Sequence, residues 1–116
     1  MTRSNHLLLF KSAYNLCLEI YKTTKNFNRE YKYTLGEKMK ESAHRILDLI
    51  IETNSLDNNN KSEGVGKILL EVERLRIYAR IACDLGILPV NRLGVIVENL
   101  ESVEKQSIGW RKWAEK

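Results

Sequence analysis

The sequence is poor in the residues that interrupt regular structure, with six glycines and one proline among 116 residues. Leu, Ile, Glu, Lys and Arg are abundant instead, and helices accommodate these residues better than sheets do. The hydrophobic fraction of 43% is enough for one core, and the chain is too short for two ordinary domains. The composition therefore predicts a single all-α domain over residues 1–116.

Cysteines and long apolar runs are also scarce. Cys17 and Cys83 are isolated, which excludes the spacing of a metal knuckle or a redox pair. We expect both to be small buried hydrophobic residues in a reducing compartment. The longest apolar runs, residues 7–10 and 87–90, are too short to span a membrane, and the first residues do not lead into a cleavable signal sequence. These absences predict a cytoplasmic protein without membrane contact.

Catalytic motifs are missing as well. The sequence contains no Gly-x-Ser-x-Gly elbow, no phosphate-binding glycine loop and no obvious Cys–His pair. Glu41 and His44 have the Glu-x-x-His spacing of di-iron bundles, but such a site needs a second pair, and the only other histidine is His6. We therefore expect no enzymatic activity, no metal and no cofactor.

Apolar residues recur at helical spacing in four segments. Helix one is predicted over about residues 5–25, with the main stripe Leu7, Phe10, Tyr14, Cys17 and Tyr21, and with Leu9, Ala13, Leu16 and Ile20 beside it. Helix two begins after Thr34, which forms the pattern of a capping box with Glu37. Helix three covers about residues 63–85.

The connections between these helices have different characters. Residues 54–63 are rich in Asn and Ser, and we expect them to form a flexible loop. Gly86 suits the left-handed position that ends a helix, and Pro89 suits the first turn of helix four. Four long helices joined in this way predict an up-down-up-down four-helix bundle.

The net charge of +4 is unevenly distributed. Residues 1–40 contain eight Lys or Arg and three acids, whereas the rest of the chain contains eleven and twelve. Basic and aromatic residues alternate around the connection between helices one and two, where Phe27, Tyr31 and Tyr33 occur. This mixture is typical of a surface that contacts phosphates and stacks on bases.

The predicted topology brings this connection to the same end of the bundle as the connection between helices three and four. We call the cations expected there the basic pole: Lys22, Lys25, Arg29, Lys32, Arg76, Arg80 and Arg92. An equally compatible interpretation is that Arg76 and Arg80 form intrahelical ion pairs with Glu73 and Asp84. Phe27 and Tyr33 could likewise close the end of the bundle.

A smaller group of aromatic and basic residues lies near the end of the sequence. It consists of Trp110, Arg111, Lys112 and Trp113, which we predict to contact a partner or another subunit. Packing within the core is the alternative for Trp110, and it is as plausible as partner contact for Trp113.

Motifs over nearly the whole chain resemble the family that contains the accessory variability determinants of diversity-generating retroelements. The motifs are Phe27-Asn28-Arg29, Lys32-Tyr33-Thr34-Leu35-Gly36, the Leu-rich segment 47–54, Leu75-Arg76 with Arg80 and Asp84-Leu85-Gly86, and the segment 107–113. Two features depart from the family pattern: Asn28 replaces the usual proline, and the glycine spacing around Trp110 and Trp113 is altered. The bundle proteins encoded in ribosomal RNA intervening sequences are related.

This resemblance implies a four-helix bundle that assembles as a homopentamer and binds nucleic acid. It also implies a non-catalytic partner of a reverse transcriptase, which supports mutagenic synthesis of complementary DNA from template RNA. The alternative is an interaction scaffold of the intervening-sequence type, with no role in a retroelement.

Overall fold

The computed structural model describes residues 5–116, which form five helices and no strand. They are α1 (Asn5–Thr24), α2 (Arg29–Lys32), α3 (Leu35–Ser55), α4 (Asn58–Asp84) and α5 (Val90–Ala114). The first residues, on which the expectation about a signal sequence rests, lie outside the described range. None of these helices combines the length and the apolar content needed to cross a membrane.

The four long helices confirm the predicted up-down-up-down bundle. α1 packs against α3 and α5, and α4 packs against the same two helices. α1 and α4 therefore lie diagonally across a bundle that measures 46 × 22 × 18 Å. The single turn α2 packs on α3.

The inner face of α1 differs from the main stripe that we predicted. Leu9, Ala13 and Leu16 are buried, with Cys17 and Ile20, whereas Leu7, Tyr14 and Tyr21 are exposed. Both sets have helical spacing, so periodicity alone could not choose between them. The buried stripe is aliphatic and includes the small Ala13, which lets neighbouring helices approach closely.

The expected flexible loop over residues 54–63 was wrong. α3 continues to Ser55 and α4 begins at Asn58, so only Leu56 and Asp57 connect them. The Asp57 side chain caps α4 by accepting a hydrogen bond from the Asn60 backbone N–H at 3.1 Å, and Lys61 donates through Nζ to the Leu56 carbonyl. These contacts give hydrogen-bond partners to backbone groups at the end of α3 and the start of α4. The polar composition of the segment did not predict this order.

The predicted capping box at the start of α3 was also wrong. The Thr34 side chain makes no cap hydrogen bond to α3. Its hydroxyl donates instead to the Glu30 carbonyl at 2.9 Å, while Glu37 forms an ion pair with Lys40 at 3.2 Å. The carbonyl that accepts this hydrogen bond belongs to the short helix α2, which was not predicted from the sequence.

The connection between α4 and α5 agrees with the sequence. Gly86 has a φ of 78°, the left-handed conformation that glycine adopts without steric cost. Its N–H donates to the Cys83 carbonyl at 2.9 Å, which closes the end of α4. Pro89 is the N-cap residue of α5, where its missing N–H is harmless.

Candidate nucleic-acid interface

The end of the bundle where α1 and α4 finish and α3 and α5 begin is covered by α2. Asn28 caps α2 by accepting a hydrogen bond from the Tyr31 N–H at 3.2 Å, and Phe27 is buried beneath this turn. Gly36 permits the close approach, because a Cβ at that position would lie 3.3 Å from the Tyr31 carbonyl oxygen. α2 is therefore held against α3 rather than extended into solvent.

Four cations of the predicted basic pole lie on α1, on α2 and in the turn between them. Lys22 is in the last turn of α1, Lys25 follows that helix, and Arg29 and Lys32 begin and end α2. Three are exposed and Lys32 is half-buried. No ion pair within residues 5–116 involves any of the four. Their charge is thus open to an external anion.

The three arginines of the predicted pole have acidic neighbours instead. Arg92 Nη2 lies 2.8 Å from Glu19 Oε1, which connects the start of α5 to α1. This oxygen is buried and has no well-oriented hydrogen-bond partner, so the contact is mainly electrostatic.

Arg76 and Arg80 form ion pairs along α4. Arg76 pairs with Glu73 and reaches Glu104 at 3.4 Å, while Arg80 Nε lies 3.5 Å from Asp84 Oδ1. The ion-pair interpretation of these two residues therefore agrees with the structure. Since α4 is diagonal to α1, they also lie at a different corner from Lys22.

The aromatic residues near the pole have different environments. Phe27 closes the end of the bundle, as one of the two interpretations predicted, and Tyr31 packs partly against the core. Tyr33 is 63% exposed and does not close the bundle. It directly follows Lys32, so an exposed ring adjoins a half-buried cation.

Glu41 and His44 lie on the exposed side of α3. His44 Nε2 is 2.7 Å from the Tyr21 hydroxyl, and Lys40 lies 5.5 Å from the centre of the Tyr21 ring. In the described part of the chain, no three His, Cys, Asp or Glu side chains are grouped so that they could hold a metal ion.

A buried polar cluster between α3 and α4 was missed from the sequence. Glu71 accepts a hydrogen bond from Ser42 at 2.6 Å and one from Arg74 at 2.9 Å, and Arg45 lies 3.5 Å away. It borders a shallow cavity of about 180 Å³ between these helices. The sequence did contain one indication that Glu71 is buried: it lies three residues after the core residue Ile68, on the same face of α4.

The aromatic and basic group on α5 divides between core and surface. Trp110 is 2% exposed and stacks on His6, with ring centres 6.4 Å apart, so it packs within this chain. Arg111 is half-buried. Lys112 and Trp113 border a cavity of about 260 Å³; Lys112 is exposed, whereas Trp113 is half-buried and packs partly against the core.

The chain is similar to a known protein family. The bAvd-like family model matches residues 7–114, which include all five helices apart from the first two residues of α1. A comparison with curated proteins gives no significant match. The family match agrees with the resemblance to accessory variability determinants, which are accessory proteins rather than catalysts. The chain therefore belongs to the bAvd-like family.

Proposed function

We propose that this chain is a non-catalytic accessory subunit of a diversity-generating retroelement. It binds template RNA or complementary DNA, associates with the reverse transcriptase and supports mutagenic synthesis of complementary DNA in the cytoplasm. The observation that carries this proposal is the bAvd-like match over residues 7–114.

The nucleic-acid contact is proposed for α1, α2 and the turn between them. Lys22, Lys25, Arg29 and Lys32 have no acidic partner within residues 5–116, so phosphates can neutralise them without breaking an existing ion pair. Tyr33 offers an exposed ring for stacking on an unpaired base. Arg76, Arg80 and Arg92 contribute less, because acids already neutralise them.

The family match supports the proposal for the protein partners. The proposed assembly is a homopentamer that presents several copies of the basic surface to one nucleic acid. Lys112 and Trp113 are candidates for contact with the reverse transcriptase, since Lys112 is exposed and Trp113 is partly exposed at the end of the bundle opposite α2.

The test is the salt dependence of binding to a single-stranded RNA oligonucleotide, measured by fluorescence anisotropy. Replacing all four unpaired cations with Gln should weaken binding and reduce the slope of log K against log salt by up to about 3, at about 0.7 per lost contact. The matched control replaces four exposed lysines elsewhere, namely Lys38, Lys67, Lys105 and Lys116.

Both variants lose the same net charge, so a difference in RNA binding between them would indicate a localised site. An equal loss in the two variants would show that the contact is spread over the surface. Copurification of the wild-type chain with the reverse transcriptase tests the retroelement role, and its absence would favour a scaffold of the intervening-sequence type.

A further inference from the structure

α1 carries a row of apolar side chains that the monomer leaves uncovered. Leu7, Tyr14, Leu18 and Tyr21 are between 42% and 61% exposed. They are spaced by seven, four and three residues, which places them on one side of the helix. We call this row the α1 stripe.

α4 carries a second row, on the side facing away from the core. Leu70, Ile77 and Ile81 are between 41% and 59% exposed, and Leu85 extends the row at 51%. We call these four residues the α4 stripe. The first three residues of the α1 stripe and of the α4 stripe have the same spacing of seven and four. Rows of exposed apolar side chains at helical spacing are candidate interaction surfaces.

The two stripes lie at similar heights in the bundle, as their contacts with α5 show. Gln106 donates to Ser12 of α1 at 2.7 Å, and Glu104 of the same turn contacts Arg76 of α4 at 3.4 Å. Residues 104 and 106 differ by about 3 Å along the axis of α5, the helical rise for two residues, so Ser12 and Arg76 lie at similar heights.

This alignment places residues of α1 at the same height in the bundle as residues of α4 whose numbers are larger by about 62 to 64. The stripes pair at a difference of 63: Leu7 with Leu70, Tyr14 with Ile77, and Leu18 with Ile81. Since α1 and α4 run in the same direction, a rotation about an axis along the bundle would bring these pairs together between two copies.

The directions of the stripes also favour contact between copies. α1 and α4 are diagonal, so one stripe does not block the other. The α1 stripe leans towards α3, where Tyr21 contacts His44 at 2.7 Å. The two faces are therefore not directly opposite, so repeated contacts would follow a curve rather than a straight line.

We propose that the α1 stripe of one copy packs in parallel against the α4 stripe of the next copy. This head-to-tail contact rests on the self-assembly included in the proposed function, and it specifies which surfaces meet. Lys11 and Arg74 occupy equivalent positions between the paired residues. Arg74 is already paired with Glu71 at 2.9 Å, so the contact brings little repulsion between like charges. Assembly should therefore depend little on salt, whereas nucleic-acid binding should weaken as the salt concentration rises.

The experiment uses Leu18→Glu and Ile77→Glu, each of which places a charge in one stripe and leaves the other intact. Light scattering should show that the wild type assembles and that each variant alone is a monomer. An equimolar mixture of the variants should form a species with twice the monomer mass, because the intact α1 stripe of Ile77→Glu can bind the intact α4 stripe of Leu18→Glu. Neither partner can add a further copy.

The matched control is Val90→Glu, which adds the same charge at an exposed apolar position outside both stripes. It should keep the wild-type mass, and circular dichroism should show native helicity in all three variants. Failure of the mixture to pair, or full assembly of either variant alone, would overturn the proposed surfaces.

A monomeric wild type would overturn both this inference and the proposed homopentamer. The salt-slope experiment would still test nucleic-acid binding separately. Capture of the reverse transcriptase by a monomeric wild type, lost in Ile77→Glu, would assign the α4 stripe to the enzyme instead of a second copy.

Discussion

Thr53 and Gly64 lie against one another where α3 and α4 meet at their shared turn. A Cβ at Gly64 would be 2.4 Å from Thr53 Oγ1 and 2.9 Å from Thr53 Cβ. Thr53 is itself 1% exposed, so its side chain has no free space to enter. The two helices can therefore approach this closely only because residue 64 lacks a side chain.

Gly64→Ala is expected to lower the free energy of unfolding by about 1–3 kcal/mol, the usual cost of overpacking a core. Denaturant unfolding followed by circular dichroism would measure this change. Gly66→Ala is the matched control on the same helix, because nothing lies within 4 Å of its added Cβ. That control should be stabilised by up to about 1 kcal/mol through helix propensity. Equal effects of the two substitutions would contradict the close contact with Thr53.

Asp57→Ala should lower the free energy of unfolding by about 0.5–2 kcal/mol, because the N-cap of α4 loses its acceptor. Thr34→Ala should cost less, since Thr34 does not cap α3 and its bond to Glu30 is exposed. Chemical denaturation of the two variants side by side gives the comparison. A larger loss for Thr34→Ala would show that the predicted capping box forms in solution.

Cys17 and Cys83 should differ in reactivity towards iodoacetamide. Burial raises the pKa of the Cys17 thiol above its ordinary value of 9.0, so the reactive thiolate is depleted in the folded state. Cys83 is half-buried and should be alkylated first. Mass spectrometry of peptides at increasing reaction times would show the order, and faster labelling of Cys17 in native protein would contradict its burial.

The raised pKa of the Cys17 thiol also affects the stability of the fold at high pH. The folded state holds the Cys17 proton more tightly than the unfolded state, so this contribution to stability is complete well below pH 9.0 and decreases as the pH rises through that value. Cys17→Ala should remove that part of the pH dependence, although it also changes core packing. The comparison therefore concerns the slope of stability against pH, not its absolute value.

Helix α5 shows what the sequence could predict. Its buried residues Ile96, Leu100, Val103 and Trp110 recur at helical spacing on one face, so Trp110 follows the alternative of packing within the core. α1 has two apolar faces at helical spacing, so the choice between them depended on neighbouring helices. Burial of one face left the other as the exposed α1 stripe.

The polar turn between α3 and α4 could not be predicted from composition. Its order depends on individual atoms, such as the Asp57 carboxylate and the Lys61 ammonium group, rather than on apolar area. The pairing of Arg92 with Glu19 similarly depends on which helices become neighbours. By contrast, the position of the four unpaired cations followed from the topology, because helix ends joined by a short connection must share one end of the bundle.

The turn of Leu56 and Asp57 also bears on how the chain folds. Loop-closure entropy grows with the length of the segment being closed, so α3 and α4, joined by two residues, pay the smallest such cost among the four long helices. α3 and α4 can therefore meet by local search, before α1 and α5 are brought in through longer closures. The resulting hairpin would provide the template for the rest of the core, and contacts of this local kind favour fast folding.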